Sequence, residues 1–168
     1  MASFNVWNSN RVLMVKCRPP KQVVSPTTGG TFLKTGMLRI GVFEKVNTGW
    51  AVNFNRNSIS LEPAEIGKFL IPEKISWNVK KLEKLFPEGS SQPADPNAVE
   101  SLQKILTVNV NVKTEAVLVN LQVLTTEGED LHNVSTDVDL GAWLAFKEVA
   151  RASIPLLCGF DGTIMRGS

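Results

Sequence analysis

Arg39, Gly41, Phe43 and Lys45 stand on alternate positions of one short stretch. Alternate side chains of a strand share a face. A strand here turns Leu38, Ile40 and Val42 to the core and sets an aromatic ring between two cations on the outside. A ring so placed can stack a flat heterocycle while the cations meet phosphate. The competing reading is that Phe43 packs under a loop or against another subunit. Asn109, Asn111 and Lys113 repeat the spacing further along, and Asn120 and Gln122 offer amides from the next predicted strand. Amides bond phosphates, sugars and base edges alike; they also make an ordinary wet sheet face.

Charge is distributed unevenly around these residues. Arg11, Lys16, Arg18, Lys21, Lys34, Arg39, Lys45 and Arg56 are eight of the 18 basic side chains, and all lie in the first 61 residues. Glu44 is the only one of the 16 carboxylates found there, which leaves +7 in a chain whose whole net charge is +2. The basic third reads as strands rather than as a tail, and a folded surface of one sign is the footprint of a polyanion site. Trp50 supplies a second ring for stacking, while Asn53 and Asn55 fall on the opposite parity from it.

Catalytic and metal chemistry find little support. Cys17, His132 and a carboxylate are the only conceivable nucleophile set, and no local motif joins them. Gly29-Gly30 lacks the lysine, the hydroxyl residue and the helix of a phosphate-binding loop. His132 has no neighbours at metal-ligand spacing, and Cys17 and Cys158 form no Cys-x-x-Cys pair. No cofactor, metal or enzyme activity is expected.

The elements that must hold the candidate residues follow from pattern. A chain of 168 residues, 43% hydrophobic and 20% charged, suits one domain with a sizeable core. No apolar run approaches the ~20 residues of a membrane span. Met1 to Trp7 does not read as a secretory signal, and no transit peptide is read in this chain. Arg11 to Arg18 reads as a strand that Pro19-Pro20 stops, because proline offers no donor to a ladder. Ser25 to Gly30 reads as a loop, and Phe32 to Val46 as strand broken near Thr35-Gly36. Asn47-Thr48-Gly49 suggests a hairpin turn, followed by an alternating strand from Trp50 to Leu61.

Pro63 fits the first position of a helix striped by Ile66, Phe69 and Leu70. Val79, Leu82, Leu85 and Phe86 suggest a second, short helix. Pro87 to Asn97 reads as a linker. After it, Leu106 to Val112 and Val117 to Val123 alternate as strands, His132 to Thr136 reads as a short one, and Asp137 or Asp139 caps a final helix carrying Trp143, Phe146, Ala150, Ile154 and Leu157. Strands running into an acid-capped helix thus occur twice. The expected architecture is a single α+β domain over residues 1–168, built from two pseudo-repeats at about 5–72 and 102–160 joined by a Pro/Ser-rich linker.

Three stretches in this order carry a family resemblance: Ser9-Asn10-Arg11-Val12-Leu13-Met14-Val15-Lys16 with the following Arg18-Pro19-Pro20; Leu61-Glu62-Pro63-Ala64-Glu65-Ile66-Gly67; and Ile154-Pro155-Leu156-Leu157-Cys158-Gly159-Phe160. From Ser9 to Phe160 the chain resembles the whirly-type single-stranded nucleic-acid-binding proteins. These include the plant organellar whirly proteins and the mitochondrial guide-RNA-binding proteins of kinetoplastids. The plant motif Lys-Gly-Lys-Ala-Ala-Leu-Ser has a basic counterpart only in Arg11, which draws the resemblance towards the kinetoplastid branch.

The resemblance implies two packed four-stranded antiparallel sheets, each followed by a helix (β4-α-β4-α). It also implies a homo- or hetero-tetramer gathered through its helices, with single strands crossing the sheet surfaces. In the kinetoplastid branch it implies a mitochondrial protein that holds RNA by the backbone and promotes guide RNA/mRNA annealing. Arg11, Lys16, Arg18, Arg39, Lys45 and Arg56 are the cations carried onto that surface; Lys34, Phe43, Trp50, Asn53, Asn55, Asn109, Asn111, Lys113, Asn120 and Gln122 complete the candidate contacts. Single-stranded DNA binding in an organelle is the alternative within the class. A non-catalytic structural or protein-interaction module is the alternative outside it.

Overall fold

Ahead of Glu62 the described residues form six strands: β1 (Ser3–Asn8), β2 (Arg11–Arg18), β3 (Lys21–Val24), β4 (Thr31–Lys34), β5 (Met37–Glu44) and β6 (Ser58–Leu61). The structure, a computed structural model, describes residues 3–45, 53–85 and 99–159. Trp50, the Asn47-Thr48-Gly49 turn, the Pro87 to Asn97 linker and Phe160 lie outside the described residues. Four strands make an antiparallel sheet in the order β1-β2-β5-β6, and β3 with β4 forms a separate two-stranded ribbon. The ribbon leaves the sheet at Pro19-Pro20, where β2 runs out of donors. It returns at Gly36, whose N–H donates to the Leu157 carbonyl at 2.8 Å. A Cβ at Gly36 would stand 2.5 Å from the Arg18 carbonyl, so only glycine allows this close crossing.

Helix α1 (Pro63–Phe69) follows β6 directly, with Pro63 at its start and the Glu65 side chain accepting from the Glu62 N–H at 3.1 Å. The second sheet is a meander of β7 (Ser76–Leu85), β8 (Glu100–Asn111), β9 (Ala116–Thr125) and β10 (Asp130–Asp139), in the order β10-β9-β8-β7. Helix α2 (Leu140–Leu157) follows it; the Asp139 side chain caps it by accepting from the Gly141 N–H at 2.9 Å, and Pro155 lies in its last turn. Two packed antiparallel sheets, each followed by a helix, make this an α+β fold.

The core lies between the sheets. Leu13, Val15, Leu38, Ile40, Ile59 and Leu61 face inward from the first, and Leu102, Leu106, Val108, Val119, Leu121 and Val123 from the second. Under the helices Phe69, Trp77, Trp143 and Phe146 form a ring cluster with successive centroids 5.5, 5.9 and 4.9 Å apart. Within the described residues no helix is long and apolar enough to cross a membrane.

Three elements depart from the sequence reading. The short helix expected over Val79 to Phe86 is β7, paired with β8 from Ser76↔Asn109 to Leu85↔Glu100. Its inward residues are Trp77, Val79, Lys81, Glu83 and Leu85; two of the five are charged and satisfied by partners, which hides the alternation. Of the strand expected from Trp50 to Leu61, the described part from Asn53 onward is strand only over Ser58–Leu61, and residues 54–57 form a turn before it. Strand β1 was not foreseen; its Phe4 and Val6 pack against the core while Asn5 and Trp7 face outward.

Candidate nucleic-acid interface

Register fixes which side chains share the outward face of the first sheet. Three rows run across it: Ser3–Lys16–Arg39–Ser60, Asn5–Met14–Gly41–Ser58 and Trp7–Val12–Phe43. The parity expected for Arg39, Gly41 and Phe43 therefore holds, but their exposure does not. The turn at 54–57 folds back over β5. Phe54 packs on Phe43 with ring centroids 5.8 Å apart, and Phe43 is only 2% exposed. Phe43 is thus a packed residue under a loop, because the outer face of β5 is covered. It cannot serve as an exposed stacking ring in this arrangement.

Arg39 is corrected in the same way. It is buried, with Nε donating to Ser58 Oγ at 3.0 Å and Nη2 to the Asn55 carbonyl at 2.7 Å. Glu83 reaches Arg39 at 3.5 Å and Lys104 at 3.3 Å, so one carboxylate serves two buried cations. Burial pushes both cations below their ordinary values, and Glu83 pulls both back up. The cluster closes the edge of β6. Lys104 donates to the carbonyls of Ser58 and Asn55, Lys81 to that of Ser60, and the Ser60 N–H donates to Glu83. An edge strand needs such partners for its unpaired backbone.

Most of the remaining early cations also have partners in the fold. Arg11 donates to the Ser135 carbonyl of β10 at 2.5 Å and ties the sheets together. Lys16 sits 4.4 Å over the Phe54 ring, and Arg18 donates to Asn55 Oδ1 at 2.6 Å. Asn53 Oδ1 accepts from the Arg56 N–H, and Arg56 pairs with Glu100 at 2.7 Å. Asn53, Asn55 and Arg56 therefore shape the covering turn. Lys34 and Lys45 are exposed, with no carboxylate at ion-pair distance among the described residues.

The outward face of the second sheet is a field of amides and hydroxyls. Its rows are Ser76–Asn109–Leu118–Asp137, Asn78–Thr107–Asn120–Ser135 and Lys80–Ile105–Gln122–Asn133. Asn109, Asn120 and Gln122 do share this face. Asn120 Nδ2 donates to Ser135 Oγ at 2.6 Å and to Asn133 Oδ1 at 2.9 Å, which leaves its oxygen for a ligand. Asn111 instead folds the β8–β9 turn, its Oδ1 accepting from the N–H groups of Lys113 and Thr114. Beside that turn an open groove of about 640 Å³ is lined by Ile75, Asn109, Val112, Lys113, Leu118 and Asp137.

Cys17 and His132 do not form a pair. Cys17 stands beside Leu38 at one end of β5, while the His132 Nε2 bonds the Val42 carbonyl at the other, at 2.8 Å. Burial raises the Cys17 thiol pKa and lowers that of His132.

Compared with known proteins, no family model and no curated protein matches the chain. Solved structures do. The plant transcriptional regulator PBF-2 superposes with a TM-score of 0.69 at 17% identity, over 99% of this chain and 87% of that one. WHY3 from Arabidopsis thaliana gives 0.66 at 17% identity, over 95% and 90%, and WHY1 from the same plant gives 0.65 at 17%, over 95% and 92%. The chain has the whirly fold.

In this whirly fold several outward residues escaped the sequence reading. Trp7, on β1, is 55% exposed at the end of the row shared with Phe43. Asn78 and Lys80 lie on the amide face of the second sheet. The alternation Phe4–Val6 against Asn5–Trp7 was the available signal for the first; the supposed helix masked the others.

Proposed function

We propose that this protein binds single-stranded nucleic acid, RNA foremost, across the outward faces of its sheets and with little regard to base sequence. The observation that carries this reading is the first sheet's outward surface. Trp7, Asn5 with Met14, Ser3 with Lys16, and then Arg18 follow one another along it from one end of β2 to the other, and none of its three rows contains a carboxylate. Likeness in fold to PBF-2, WHY1 and WHY3 supports it. Cations on such a surface displace counterions from the phosphates, so affinity falls steeply with salt. Amides on the second sheet add contacts that tolerate any base.

No cofactor or bond-making step enters this reading. Neutralising the backbones of two RNAs lowers their repulsion and speeds pairing. The resemblance to the kinetoplastid proteins supports annealing of guide RNA to messenger RNA in mitochondrial RNA processing as the role. The apolar outer side of α2 supports assembly through the helices, as a homo- or hetero-tetramer with a related subunit. Anisotropy titrations with oligo(U) and oligo(dT) over a range of salt concentrations test the reading. Binding that weakens with salt and favours oligo(U) is the expected result. Preference for oligo(dT) points to the DNA alternative, since the 2′-hydroxyl is the main difference a protein can read. No binding of either probe removes the reading.

A further inference from the structure

Lys21 and Lys34 stand directly opposite each other in the β3–β4 ribbon. Like charges opposed across a strand pair destabilise it. Both are exposed, and neither has a carboxylate at ion-pair distance among the described residues. Arg18 joins them around an open pocket of about 390 Å³ at the base of the ribbon, floored by Thr35, Gly36 and Met37. The next pair on the same ribbon face is Val23↔Phe32, and the Phe32 ring is 51% exposed. Three cations therefore surround one pocket, and a bare ring lies two residues away, about 6–7 Å along the strand.

We infer that the β3–β4 ribbon is a second grip on the single strand, in which Lys21, Lys34 and Arg18 seat a phosphate and Phe32 stacks an adjacent base. This rests on the single-strand reading above and adds a site off the sheets. A phosphate relieves the repulsion between the two lysines, which gives the opposed pair a reason to exist. The stretched backbone of an unpaired strand separates a base from its neighbouring phosphate by a comparable distance.

The test uses the full chain with oligo(U) and with an abasic sugar-phosphate oligomer of the same length. Phe32→Ala is expected to weaken oligo(U) binding about fivefold or more and to leave the abasic probe unaffected, with Phe32→Trp restoring affinity. Lys21→Gln with Lys34→Gln is expected to lower the salt slope by about 0.7, one phosphate's worth, on both probes. Wild-type protein that binds neither RNA nor DNA brings down the parent reading, and this one with it. Wild-type binding with undiminished affinity in Phe32→Ala overturns the ribbon site alone. Equal losses on both probes overturn it too, since stacking needs a base. A changed subunit count in Phe32→Ala with unchanged affinity makes the ribbon a protein contact instead.

Discussion

Lys104, on the inner face of the second sheet, donates to the carbonyl of Ser58 on the edge of the first at 2.6 Å. The same ammonium shares Glu83 with Arg39, so a net positive cluster is locked between the sheets. Removing the lysine leaves two backbone acceptors without it, whereas removing the carboxylate's charge leaves two buried cations uncompensated. Lys104→Met is therefore expected to cost about 2–3 kcal/mol, and Glu83→Gln more, about 3–5 kcal/mol. Urea unfolding of the two variants checks the ranking. If Glu83→Gln is the milder of the two, the cluster is not held by that carboxylate.

Phe43 lies back over Gly41, and a side chain at Gly41 would overlap its ring, with Phe54 next to it at 3.3 Å. The Phe43 ring is itself held between Phe54 and His132, each with its centroid 5.8 Å away. It has no free direction in which to yield. Gly41→Ala is expected to destabilise by about 1–3 kcal/mol. Phe43→Leu in the same chain should relieve part of that loss, so the double variant should fall short of the sum of the singles. Thermal denaturation of the three proteins measures the coupling; strict additivity would show that the two positions do not meet.

Parity made the inner faces of both sheets legible: Leu38, Ile40 and Val42, and Leu106, Val108 and Val110, alternate without interruption. Exposure was not legible, because it depends on what lies over a face. Nothing in the spacing of Arg39 and Phe43 announces that residues 54–57 fold across them. Strand β7 was misread because Lys81 and Glu83 occupy inward positions where apolar residues are expected. Half-buried charges whose partners lie on other elements invert the local hydropathy pattern, and only the tertiary arrangement explains them. The helix starts were legible to within two residues, since Pro63 and whichever of Asp137 and Asp139 caps α2 act through residues within a turn of themselves; the cap is Asp139.

Arg11 and Lys45 were nominated together as phosphate contacts, yet their surroundings differ. Arg11 is half-buried and bonded to the Ser135 carbonyl; Lys45 is exposed just past the end of β5. Arg11→Met is expected to lower stability by about 1–2 kcal/mol and to leave the salt dependence of RNA binding nearly unchanged. Lys45→Gln is expected to do the reverse, lowering the salt slope by about 0.7 with an unaltered melting temperature. Paired melting curves and salt titrations separate them. A reduced slope for Arg11→Met would return that residue to the binding surface.

His132 couples stability to pH. Burial holds its folded pKa below the ordinary 6.5, and the neutral ring donates its Nε2–H to the Val42 carbonyl. With the folded value depressed, the unfolded chain takes up the proton first as pH falls. The stability contribution is thus present in full above the unfolded pKa, about 6.5. It is lost as pH drops from there through the folded value. Unfolding free energies measured from pH 8 down to about 5 should decline more steeply in the wild type than in His132→Gln. Parallel profiles would mean that His132 titrates alike in both states.

Helix α2 presents apolar side chains outward as well as inward. Leu144, Val149 and Leu156 are 51%, 41% and 40% exposed, while Trp143, Phe146, Ala150 and Leu157 supply its buried side. Ala145, Val149, Ala152 and Leu156 follow one another at helical spacing, so they form a continuous strip rather than scattered sites. On the proposed assembly through the helices, this strip is the surface that a second subunit covers, and small alanines allow a second helix to approach closely. Val149→Glu with Leu156→Glu places two charges in that strip while leaving the Trp143–Phe146 side intact. Native mass measurement should then show a smaller particle than the wild type, with an unchanged circular dichroism spectrum. RNA affinity should drop as well, because linked subunits hold one strand at several points. A particle of unchanged mass would show that the subunits, if they associate, do so through another face.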